Sequence, residues 1–198
     1  MNPKDPDYDE WLQCMNGISS LDDYAYVVLK FIADTANFVV SSCNLASRHS
    51  TGSSISEQEH LIAERTFALF AHLFNRGWMA HGCSTCHLAS IQESIWPKLA
   101  RLAVINHYGE RPDEILEHEM DKVLHRFNSA EILYSKCTEL VSKENPFSPT
   151  SLFGLFSHQV AKVLGCESDP YELFAIHHAA AQLFTDLDEL AKHAKHVT

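Results

Sequence analysis

Apolar positions recur along the chain at helical spacing, and the pattern predicts about six helices. The first covers roughly residues 20–47, behind the cap signal Ser19-Ser20-Leu21-Asp22-Asp23. At about 100° per residue, Lys30, Asp34, Asn37 and Ser41 fall on one narrow polar stripe. Val27, Val28, Phe31, Ile32, Phe38 and Val39 cover the rest. A helix wet along a single line belongs near the centre of a fold. Residues 48–54 form a polar loop. A second helix follows, with Ser56 as cap and Glu59 three residues on, a capping-box pattern. It runs through the apolar stretch 67–74 and stops near Gly77. The third helix follows the segment Cys83-Ser84-Thr85-Cys86-His87 and ends at Gly109, with a kink or break expected after Ile95 or Trp96 because Pro97 follows.

The fourth helix opens at Pro112-Asp113, with proline at a favoured first-turn position, and extends to about Ser142. Residues 145–149, with Pro146 and Pro149, form a rigid connector. The fifth helix spans about Thr150 to Leu164 with Gly165 as C-cap. The sixth runs from Asp169-Pro170 to about His193. Strand alternation and internal repeats are both missing from the pattern. The expectation is an all-α, single-domain bundle of about six mostly antiparallel helices with short loops. It occupies residues 19–198, behind an acidic, poorly ordered segment 1–18.

Composition narrows the function classes. The chain has 198 residues, 45% of them hydrophobic, enough for one sizeable core. Twenty-six acidic against 15 basic residues give a net charge of −11. Lys and Arg are scattered singly, so neither nucleic acid nor an anionic membrane surface is an expected partner. The polar, acidic start predicts no signal peptide. The most apolar segment, Tyr24 to Val40, carries Lys30, Asp34 and Asn37, so no membrane span is expected. A cytoplasmic location follows as the default, with the 6 cysteines reduced. Cys14, Cys43, Cys137 and Cys166 read as small core hydrophobes.

The densest set of soft ligands is His81, Cys83, Cys86 and His87. Two thiols three apart plus an adjacent imidazole can grip a zinc or iron ion. A structural zinc site usually takes its second ligand pair from a distant segment, and none of the same type occurs here. His60 or His177 would have to reach the cluster from another helix. A thiol pair at a helix N-terminus can also form a reversible disulfide. The five residues Cys83 to His87 resemble the c-type haem attachment motif. That resemblance implies covalent haem, which ranks below a simple ion because no export segment is read.

Two further patterns carry possible chemistry. Glu57-x-x-His60 resembles half of the motif pair of di-iron carboxylate bundles, and implies a metal at Glu57 and His60 with residues of the fourth helix. On that helix Glu114, His118, Asp121 and His125 share one face, but the apolar residues centre on the opposite one, so the stripe is expected in water. His177 falls in an apolar arc and His178 outside it. His72 is placed on the polar side of the second helix, beside Arg65 and Arg76. Phe153-Gly154-Leu155-Phe156 reads either as core or as a docking segment.

The chain carries no Gly-rich phosphate loop and no nucleophile elbow. The leading expectation is therefore a non-catalytic helical-bundle module that binds a protein partner or a small apolar ligand, with homo-oligomerisation open. A metal-binding or redox protein centred on Cys83, Cys86 and His87 is the second. A carboxylate-bridged metal enzyme using Glu57 and His60 is the third.

Overall fold

The first long apolar run forms α1, Leu21–Asn44. Its N-terminus is a reciprocal cap: Asp23 Oδ2 accepts from the backbone N–H of Ser19 and of Ser20 and from both serine hydroxyls, while the Asp23 N–H donates to Ser20 Oγ. These hydrogen bonds hold the Asp23 carboxyl below its ordinary value. Lys30, Asp34, Asn37 and Ser41 are exposed, and Tyr24, Val28, Ile32 and Val39 are fully buried. α1 is long and apolar enough to cross a membrane by length and composition. Here it is packed against α2, α3 and α6, defined below, while Tyr26 and Phe38 are exposed.

The computed structural model describes residue 15 and residues 17–44, 55–109, 112–182 and 184–197; among these every regular element is helical. The predicted loop at 48–54 and Cys14 lie outside the described residues. After α1 come α2 (Ile55–Ala80), α3 (Thr85–Tyr108), α4 (Asp113–Tyr134), α5 (Leu152–Leu164), α6 (Pro170–Gln182) and α7 (Phe184–His193), closed by a short 3-10 turn, Ala194–His196. The all-α bundle is as expected. α2 is its axis, packed against α1, α3, α4, α5 and α7. Phe67, Phe70, Phe74 and Trp78 of α2 are buried, and Phe31 of α1 meets Phe70 and Phe74 edge-on.

Several boundaries differ from expectation for physical reasons. α2 begins at Ile55, so Ser56 lies in its first turn, and it passes through Gly77 to Ala80. At Gly77 α7 comes close: a Cβ there would stand 2.9 Å from Ala191 Cβ. α3 continues unbroken through Pro97. Pro97 faces solvent, while Ile95 and Leu99 are fully buried and Trp96 packs on Trp78. The carbonyl that proline leaves without a partner belongs to exposed Glu93, within reach of water.

α4 stops at Tyr134, short of Ser142. Beyond it the Cys137 carbonyl accepts from Arg76 of α2. The carbonyls of Glu139 and Leu140 accept from the first N–H groups of α5. The predicted sixth helix is described in two stretches, α6 and α7, on either side of residue 183, which lies outside the described residues.

His72 is corrected most sharply. It is 2% exposed rather than on a wet face, because α2 is surrounded by other helices. Its ring lies against Tyr134, with Nδ1 3.0 Å from Glu131 Oε2 but outside hydrogen-bond geometry. Cys43, Cys137 and Cys166 are buried, and so are Phe153 and Phe156, which makes that segment core rather than a docking face. His177 is buried among aromatic rings, His178 exposed.

Candidate functional site

The cysteine cluster is a helix junction built from backbone rules. Gly82, at φ +85°, supplies the left-handed residue that ends α2. Its N–H donates to the Met79 carbonyl, and the N–H of Cys83 donates to that of Trp78. This is a Schellman ending, in which the residue after glycine is characteristically apolar and turned inward. Cys83 holds that position and packs half-buried against the core. The same device recurs where Gly165 and Cys166 end α5, with the Cys166 N–H on the Ala161 carbonyl. Ser84 then caps α3, its Oγ accepting from the His87 N–H.

The two histidines of the cluster tie this junction to the C-terminal segment. His81 Nε2 meets Asp188 Oδ1 at 2.8 Å, and that bond, with help from Lys192, holds the Asp188 carboxyl below its ordinary value. His87 Nε2 donates to the Ala194 carbonyl at 2.6 Å, so this ring nitrogen bears the proton and is not a free metal donor. Burial pushes the Cys83 thiol up, against a smaller opposing effect of Lys195. That is opposite to what a reactive thiolate needs. Neither of the distant histidines joins the cluster: His60 meets His107, and His177 meets Phe147 and Phe153. Among the described residues no three His, Cys, Asp or Glu converge as metal ligands.

The other predicted pair leads to a hollow. Glu57, His60, Leu61 and Glu64 are spaced i, i+3, i+4 and i+7, hence on one face of α2. With α3 and α4 this face encloses a groove of about 300 Å³. Its floor is apolar, from Phe67, Ala103, Val104 and Val123. Leu61 and Tyr108 stand at its mouth, 38% and 43% exposed. The rings of His60 and His107 meet edge to face at 4.7 Å, and His107 in turn meets Tyr108 at 4.1 Å. Burial, then the neighbouring His107, holds His60 below its ordinary value. Its ring is therefore neutral near pH 7 and offers one N–H and one acceptor.

Across the mouth Arg126 of α4 clamps Glu64 of α2 with two hydrogen bonds, 2.6 and 2.8 Å. This ion pair raises Arg126 further above its already high value. A second hollow of about 230 Å³, lined in part by Phe127, Leu133 and Gln159, shares Glu64, Arg65 and Arg126 with the first. The carboxylate-histidine stripe of α4 does not enter either one: Glu114, His118, Asp121 and His125 are exposed and line neither hollow. To the first hollow α4 contributes Val123 and Arg126 instead, and to the second Arg126, Phe127 and Leu133 among others. Glu57 and His60 were legible from spacing, whereas His107, Tyr108 and Arg126 carry no local motif.

Chemically the groove offers an apolar floor, the neutral His60 imidazole and one clamped ion pair. Compared with known proteins, the chain matches no family model, no curated protein and no solved structure.

Proposed function

We propose that the protein is a helical-bundle module that binds a small, largely apolar ligand in the groove between α2, α3 and α4. The observation that carries this reading is the groove: an apolar floor beneath a rim of a few polar groups, with Leu61 and Tyr108 left exposed at the opening. Its volume of about 300 Å³ sits at the lower end of the range of small-ligand sites. Cys83 and His87 are assigned no role beyond the junction of α2 and α3, where each has a structural task.

The test is a titration with N-phenylnaphthylamine, a neutral dye whose emission rises in apolar surroundings. A saturable rise at one equivalent is expected. Ala63→Trp, which fills the groove from a half-buried position on α2, abolishes it while far-ultraviolet circular dichroism stays unchanged. Undiminished dye binding by a folded Ala63→Trp variant contradicts the assignment.

A further inference from the structure

We propose that the ligand is a small amphipathic monoanion, a carboxylate on an apolar body, with Arg65 receiving the charged end and the floor of the groove receiving the rest. The inference rests on the reading of the groove as a ligand site and adds the ligand's charge.

Arg65 lies on the rim common to both hollows. Its neighbours there, Glu64 and Arg126, hold each other through two near-parallel hydrogen bonds. Such a fork leaves little field for a ligand to compete for. No carboxylate among the described residues pairs with Arg65. In a chain of net charge −11, this guanidinium stands beside two hollows with no carboxylate matched to it. Its charge also reaches inward: it favours the ionised form of the Tyr134 hydroxyl, which burial otherwise pushes up.

The planar fork of a guanidinium matches a carboxylate in a way an ammonium does not. The opposing charge on the rim is Glu57, one turn before His60 and two turns from Arg65. That polarity sets the orientation: the anionic end lies at Arg65, and the apolar body runs toward His60 and His107. The neutral His60 imidazole there neither attracts nor repels a second charge.

The test displaces bound N-phenylnaphthylamine with a matched pair, naphthylacetate and its neutral amide. Naphthylacetate is expected to compete about tenfold better than the amide, the scale of one charge-assisted contact. Arg65→Gln should remove that advantage, so that acid and amide then compete equally. Added salt should weaken the acid alone. Equal competition by acid and amide, or equal loss of both in Arg65→Gln, overturns the anion assignment and leaves the groove reading standing. Failure of the dye itself to bind overturns both.

Discussion

The indole N–H of Trp78 is fully buried and donates to the Tyr24 hydroxyl at 2.6 Å, and that hydroxyl donates onward to the Leu190 carbonyl at 3.3 Å. Three helices meet through these two bonds, and water has no access to replace either one. Tyr24→Phe should therefore cost about 1–3 kcal/mol, because the Trp78 donor stays buried without an acceptor. Chemical denaturation checks this, and a cost below a few tenths would contradict it. The histidines give a pH dependence. His60 and His177 are both held below their ordinary value of 6.5, mainly by burial and secondarily by His107 and His178. Below pH 6.5 the unfolded chain takes up protons that the folded chain refuses, so stability falls on acidification and levels off above that value. The thermal midpoint should drop between about pH 7 and about pH 5, and the drop should be shallower in a His177→Leu variant. A midpoint that rises on acidification would show the imidazoles to be better accommodated as cations.

At the scale of elements, α5 depends on a single glycine. Ser151 caps it, with Oγ accepting from the Gly154 N–H and donating to the Ser148 carbonyl. The backbone of residue 148 lies so close that a Cβ on Gly154 would collide with its carbonyl and with Ser151 Oγ. Gly154→Ala should destabilise the fold by about 1–3 kcal/mol, the cost of an overpacked buried site. Ser151→Ala should cost about 1 kcal/mol through the lost cap. Equilibrium unfolding of both variants checks the order, with the glycine change expected to be the larger.

Helix identity was legible wherever periodicity and caps agreed, as at Ser20 and Gly165. It was less legible where long-range bonds decide. Beyond the end of α4 at Tyr134, Arg76 and the start of α5 engage the carbonyls of residues 137, 139 and 140, contacts no local pattern encodes. Pro97 failed to break α3 because its ring faces water and its neighbours are locked in the core. The segment at 82–84 drew notice for its thiols, yet glycine and serine beside them carry the structural signal.

At the scale of the whole molecule, α2 is surrounded and everything else is placed around it. That is why His72 is buried despite a polar local pattern, and why one face of α2 can floor a groove. Half of the candidate site was legible, since Glu57 and His60 share a helix face at readable spacing. The other half, His107, Tyr108 and Arg126, comes from the end of α3 and the middle of α4, and only tertiary packing brings them near. The central claim is that this groove, rather than the cysteine junction, is where the protein meets its ligand. The most direct measurement is a two-dimensional amide NMR titration of the full chain with N-phenylnaphthylamine. The account predicts shifts concentrated at residues 57–67, 103–108 and 123–126, with Gly82 to His87 unmoved. Shifts centred on the cysteine junction, or none in the groove, would contradict it.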